Sequence, residues 1–151
     1  MMGGCVTSFT GAHRFLSNFW PAAVSLDHII YPTVEHAYQA AKSVEPAKRA
    51  IVRMMPNPAM ARTAGRRLGV RRDWVAVKVE VMRHLLEQKF AAGSHLADAL
   101  DATGEMLLEE GNTWGDRFWG VYGGTGANTL GRMLMAIRTK NRDCEFAALL
   151  G

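Results

Sequence analysis

Cysteine is almost absent from this chain. Cys5 and Cys144 are the only two, near opposite ends. They form no C-x-x-C pair and have no neighbouring His and Asp cluster, so there is no basis for a disulfide framework or a metal site, and a reducing compartment is expected. Long hydrophobic runs are also missing: nothing approaches the roughly 20 apolar residues of a transmembrane helix. Met1-Met2-Gly3-Gly4-Cys5 lacks the basic region and apolar segment of a secretory leader. The expectation is a cytoplasmic protein with no membrane association. Neither sign of charge dominates, since 18 Lys plus Arg stand against 14 Asp plus Glu, a net +4. That field draws anions in general and does not specify nucleic acid. Linkers, low-complexity segments and internal repeats are absent as well. With 151 residues, one domain over 1–151 is expected, large enough to bury a core without staples.

What is present concentrates in two stretches. Glu110-Gly111-Asn112-Thr113-Trp114-Gly115-Asp116-Arg117-Phe118-Trp119-Gly120 has neither the period of a helix nor the alternation of a long strand. Trp114 and Trp119 beside Asp116 admit two readings. One is a flat stacking wall with a polar end; in the other both indoles close the core and Asp116 caps a turn. In the second stretch a helix is expected from Val34 to about Ser43, with Thr33 as its N-cap. Glu35, Tyr38, Gln39 and Lys42 then share one face, beside an apolar stripe of Val34, Ala37 and Ala41. Glu35 falls in the first turn, where the helix N-terminus favours negative charge, which suits a base or a group that stabilises positive charge.

Around these, strands are expected at Val6–Phe9 and over Val24–Ile30, the latter interrupted or turned by Asp27-His28, and at Met106–Glu109. A helix from Pro46 to Met55 buries Ile51, Val52, Met54 and Met55. A short one over Ala59–Ala64 follows Asn57-Pro58 and ends at Gly65. Arg62, Arg66, Arg67, Arg71 and Arg72 read as a mainly solvated basic surface with one or two working members. Asp73 caps a long helix from Trp74 to Phe90, and Ser94 starts His95–Leu100. A last helix runs from Thr129 to about Arg138, and the tail 141–151 carries enough apolar residues to dock. Arg14 either binds phosphate through its planar fork or is solvated beside Phe15, while Ser17 and Asn18 bond locally in a turn. Asn128 either caps the last helix or contacts a ligand. The glycines from Gly123 to Gly126 match neither the dinucleotide fingerprint nor the Walker pattern.

Taken together, Phe15-Leu16-Ser17-Asn18-Phe19, Thr33-Val34-Glu35-His36-Ala37-Tyr38-Gln39-Ala40-Ala41-Lys42, Asp73-Trp74, Lys89-Phe90, Asp116-Arg117-Phe118-Trp119-Gly120, Gly126-Ala127-Asn128 and Leu130-Gly131-Arg132-Met133-Leu134 closely resemble the NADAR family, the YbiA-like group of riboflavin-intermediate N-glycosidases. The resemblance covers about residues 6–140. It implies an α+β fold, a compact and mainly helical single domain with a small sheet. It also implies cleavage of an N-glycosidic bond, either in a phosphoribosylaminopyrimidine or, as in some members, between ADP-ribose and a modified guanine. By that resemblance Glu35 is the leading catalytic carboxylate, and Asp116 and Trp119 belong to an acidic and aromatic wall. Ser17, Asn18, Lys42 and Asn128 match pocket positions. With Arg14, Tyr38 and Trp114 these form the expected substrate-binding set. The expected ligand is a phosphorylated ribosyl base or ADP-ribosyl group, free or on modified nucleic acid, with no metal, no cofactor and no obligate protein partner.

Overall fold

The structure is a computed structural model describing residues 3–151. In chain order its elements are β1 (Cys5–Val6), a 3₁₀ helix (Gly11–Leu16), β2 (Val24–Leu26), β3 (Ile29–Tyr31), α1 (Val34–Ala40), α2 (Pro46–Arg53) and α3 (Pro58–Arg66). They continue with α4 (Trp74–Lys89), α5 (His95–Asp101), β4 (Leu107–Leu108) and α6 (Thr129–Leu150). This is a mainly helical α+β fold, and its strands form two-stranded sheets, β1 with β4 and β2 with β3. The chain divides into two compact units, one of residues 18–89 and one joining the N-terminal segment through Ser17 to 90–151.

In the unit of 18–89 the sequence Leu26-Asp27-His28-Ile29 forms a tight hairpin. Asp27 and His28 both adopt positive φ, 48° and 67°, as a two-residue turn matched to strand twist requires. The stretch expected as one strand is therefore two, paired antiparallel from Val24↔Tyr31 to Leu26↔Ile29. Gln88 of α4 clamps this hairpin: its Oε1 accepts from Ser25 N–H at 2.7 Å and its Nε2 donates to the Ser25 carbonyl at 2.8 Å. Thr33 caps α1 as expected, its hydroxyl accepting from His36 N–H at 3.0 Å. His36 is buried, with Nδ1 on the Thr33 hydroxyl at 2.7 Å and Nε2 on the Met55 carbonyl at 2.9 Å. Every residue of α1 is buried, so it is the axis of its unit, against α2, α3 and α4, and not a helix with one polar face to solvent.

Two expectations fail here for packing reasons. In α2 only Val52 is buried, while Ile51 and Met54 are 52% and 79% exposed; one narrow ridge is all that α1 accepts. Gly65 does not end α3. The helix continues through Arg66, and Gly65 lies buried against Gln39, where a Cβ would stand 2.1 Å from Oε1 and 2.8 Å from Cβ. The glycine is there for close helix approach. Asn57 starts this helix, accepting from Met60 N–H at 2.9 Å. Asp73 precedes α4, but its carboxylate takes both hydrogen bonds of the Arg71 fork.

In the other unit β1 and β4 pair parallel, Cys5↔Leu107 and Val6↔Leu108, each shorter than expected, although Glu109 N–H still donates to the Val6 carbonyl at 2.8 Å. Arg138 of α6 is buried and ties the α5–β4 connection, donating to Thr103 Oγ1 at 2.7 Å and to the Met106 carbonyl at 3.0 Å. Leu130, Met133, Leu134 and Ile137 form the buried stripe of α6. This helix runs twelve residues past the expected end at Arg138. Beyond Arg142 its side chains are exposed, including Phe146 at 63% and Leu149 at 83%, so the tail does not dock within its unit. No helix among the described residues is long and apolar enough to cross a membrane.

Candidate active site

Within 18–89 the buried α1 face assembles a carboxylate cluster. Glu35 is 3% exposed. Its backbone N–H donates to the Asn18 carbonyl at 3.2 Å. Its Oε1 accepts from Gln39 Nε2 and from Arg62 Nε, both at 2.9 Å. Both donors converge on one oxygen, and Oε2 accepts no hydrogen bond among the described residues. The Gln39 amide orientation follows from this network: the reverse assignment would set its oxygen against the carboxylate. Gln39 Oε1 is then buried without a partner, as is Asn18 Oδ1.

Aromatic and cationic contacts extend from Arg62 and from the α1 side chains. The Arg62 guanidinium lies 4.6 Å from the Phe19 ring centroid. Tyr38 packs tilted against Trp74 at 5.1 Å, and Lys42 Nζ stands 6.0 Å from the Tyr38 centroid. Burial holds the Lys42 ammonium below its ordinary pKa; Glu35 opposes that shift, and Arg66 and Arg62 reinforce it. Of the sequence-predicted residues, Asn18, Glu35, Tyr38 and Lys42 thus come together in this unit.

The rest lie in the other unit. Asp116 Oδ1 accepts from the Phe118 and Trp119 N–H groups at 3.0 and 2.9 Å, which is the turn-capping reading. Its Oδ2 accepts no hydrogen bond among the described residues. Asn112 organises the same loop: Nδ2 donates to the Asp116 and Val121 carbonyls at 2.8 and 3.2 Å, and Oδ1 accepts from Asp116 N–H at 3.0 Å. Trp119 is partly exposed and meets Phe118 edge-on at 4.9 Å, while Trp114 is 59% exposed. Gly120 has no room for a side chain, since a Cβ would stand 2.0 Å from Glu110 Oε2 and 2.1 Å from the Glu110 carbonyl. Asn128 does not cap α6 with its side chain. It sits at φ 50° and ties the start of α6 to the end of β4 instead, Oδ1 accepting from Glu110 N–H at 3.0 Å and Nδ2 donating to the Leu108 carbonyl at 2.8 Å. Arg14 is exposed on the 3₁₀ helix, whose C-cap Ser17 donates its N–H to the Arg14 carbonyl at 3.0 Å.

The sequence leaves Arg62 among five arginines of which one or two work, and Gln39 as a polar residue of the α1 face that could close a pocket, without pairing either with Glu35. The signal that finds Arg62 is register: counted from the Asn57 cap, Ala61 and Gly65 face inward, and Arg62 flanks that ridge. Among the described residues no group of three or more His, Cys, Asp or Glu is placed to hold a metal ion.

A buried carboxylate with one oxygen pinned and one open, beside aromatic faces, can stabilise a developing positive charge or take a proton from water. On a small helical α+β scaffold, this arrangement makes Glu35 the centre of a candidate site. The chain belongs to the NADAR domain family, whose model matches residues 6–142. It is 38% identical over 134 residues to a riboflavin biosynthesis protein of Vibrio vulnificus, covering 87% of this chain and 36% of that one. An N-glycosidase of Nostoc punctiforme is 36% identical over 133 residues, covering 84% of this chain and 85% of its own. The NMR structure of the E. coli protein YbiA superposes with a TM-score of 0.82 at 32% identity, covering 97% of this chain and 89% of that one. The chain thus spans about a third of the Vibrio relative and most of the other two.

Proposed function

We propose that this protein hydrolyses the C1′–N bond of a phosphoribosylaminopyrimidine, an intermediate of riboflavin biosynthesis, releasing the pyrimidine and ribose 5-phosphate. The observation that carries the reading is Glu35, buried, pinned through Oε1 and open at Oε2. Breaking C1′–N leaves positive charge on the ribose, which the carboxylate stabilises. Oε2 takes a proton from the attacking water as its oxygen bonds to C1′. The C1′–N electron pair departs with the pyrimidine nitrogen, which accepts that proton. Tyr38 and Trp74 supply an aromatic wall. The homology to N-glycosidases and to a riboflavin biosynthesis protein supports the bond type and substrate class.

The test is product analysis with candidate phosphoribosylaminopyrimidines, together with single-turnover comparison of wild type and Glu35→Gln at saturating substrate. The amide introduced by this substitution keeps an oxygen able to accept from Gln39 and Arg62 while losing the charge. The variant should therefore fold and bind ligand, and its chemical rate should fall at least about 100-fold. A folded Glu35→Gln protein with near-wild-type turnover removes Glu35 from the mechanism. Turnover of ADP-ribosyl-guanine alone would replace the substrate.

A further inference from the structure

The contacts between α1 and α3 run as a parallel ladder. Glu35 meets Arg62 and Gln39 meets Gly65; past the ends of both helices the same order continues, the Lys42 carbonyl accepting from Arg71 N–H at 2.7 Å. Arg66 follows Gly65 on α3, four residues after Arg62, so the two arginines share a helix face. Lys42 thus follows α1 on the side of the C-terminal end of α3, where Arg66 stands, and the field of both arginines reaches the Lys42 ammonium. Asp27 and Asp73 already hold Arg49 and Arg71, and Glu35 is the acidic group facing Lys42. Neither Lys42 nor Arg66 makes an ion pair among the described residues. Three cations thus face one carboxylate, and the half-buried Lys42 is held among like charges, an arrangement that a bound anion relieves.

We propose that Lys42 and Arg66, with Arg62, form a subsite for a dianionic phosphomonoester at the far end of the Glu35 cluster. The chemistry is complementary: the Arg66 fork takes two phosphate oxygens and the Lys42 ammonium acts as a point charge. The assignment rests on the proposed reaction only for where the phosphate comes from, which is the 5′-phosphate of the ribose being cleaved. It adds Arg66, which sequence alone leaves on a solvated surface, as the residue that selects phosphorylated over unphosphorylated riboside.

The experiment is calorimetric binding of ribose 5-phosphate, ribose and inorganic phosphate to wild type, Arg66→Gln, Arg66→Lys and Arg67→Gln. Arg66 is exposed, so its variants should fold, which circular dichroism checks. Arg67→Gln removes the same charge from the next position and controls for the general field. Arg66→Gln should weaken ribose 5-phosphate roughly 10-fold, the loss of a charge-assisted pair, while Arg67→Gln changes it less than about two-fold and Arg66→Lys restores part of the loss. Equal losses in Arg66→Gln and Arg67→Gln, or wild-type binding of ribose as tight as ribose 5-phosphate, overturn the subsite. The two proposals fail separately. Selective loss in Arg66→Gln without turnover of any phosphoribosylaminopyrimidine keeps the subsite and removes the reaction; turnover with ribose 5-phosphate binding indifferent to Arg66 does the reverse.

Discussion

Replacing Gly65 with Ala tests the α1–α3 contact on which the Glu35 geometry depends. A Cβ at this position would lie 2.1 Å from Gln39 Oε1 and 2.8 Å from both Cβ and Cδ of the same residue. The amide end can swing away only by leaving Glu35, and the Gln39 Cβ is rooted in the α1 backbone and cannot swing at all. Restoring ordinary van der Waals distance there moves one helix by roughly 1 Å. Overpacking of this kind costs about 1–3 kcal/mol. With three atoms of one residue too close, the upper part of that range applies, and the roughly 1 kcal/mol that Ala returns in helix propensity leaves a net loss of about 2 kcal/mol. For a chain of this length each kcal/mol shifts the melting temperature by some 2–4 °C, so Gly65→Ala should melt about 4–8 °C lower. The larger effect falls on chemistry: displacing Glu35 by about 1 Å is enough for a 100-fold loss of single-turnover rate. Gly69→Ala is the control, since nothing lies within 4 Å of its Cβ and its φ is ordinary; it should be neutral or slightly stabilising. A Gly65→Ala protein with wild-type melting and wild-type rate would refute the claim that this contact sets the carboxylate.

Asn128→Ala and Asn128→Gly separate two properties of one residue. Both lose the amide bridge between the Glu110 N–H and the Leu108 carbonyl, about 2 kcal/mol for two hydrogen bonds, and only Ala adds the left-handed backbone strain of about 1 kcal/mol; urea unfolding that ranks Gly below Ala would contradict this. Lys89 is buried, and burial lowers its pKa to about 7. Its unfolded pKa is near 10.4, so between these values the unfolded chain binds the extra proton and stability rises with pH. The gain approaches 1.4 kcal/mol per pH unit in that window, with the full penalty below about pH 7. Lys89→Met should be more stable than wild type below pH 7 and should flatten the rise from pH 7 to 10, as read by denaturant midpoints across pH. Parallel slopes for the two proteins would remove Lys89 as the cause.

Local patterns in the sequence carried much of the fold because their causes are local. The Thr33, Asn57 and Ser94 caps act on N–H groups three residues away, and Asp27-His28 turns the chain by its own backbone preference. Glu35, Tyr38 and Gln39 were legible as one helix face for the same reason, while Lys42, expected on that face of a helix reaching Ser43, lies past the helix end at Ala40. The full burial of that helix was not legible, because periodicity reports spacing and not what packs on the opposite side. Asn128 misled for a related reason: its type fits a cap, yet its partners are Glu110 and Leu108, 18 and 20 residues away.

The sequence by itself determined the mainly helical α+β class, the family and the carboxylate on the first helix, all of which rest on short-range order and on motif order along the chain. Only the tertiary structure decided that Arg62 is the partner of Glu35, 27 residues apart in sequence, that Gly65 is a contact and not a helix end, and that one oxygen of Glu35 is held while the other is open. These are properties of two helices in contact. Which arginine of five reaches a buried carboxylate depends on where α3 crosses α1, and that crossing is set by the absence of a single side chain at Gly65.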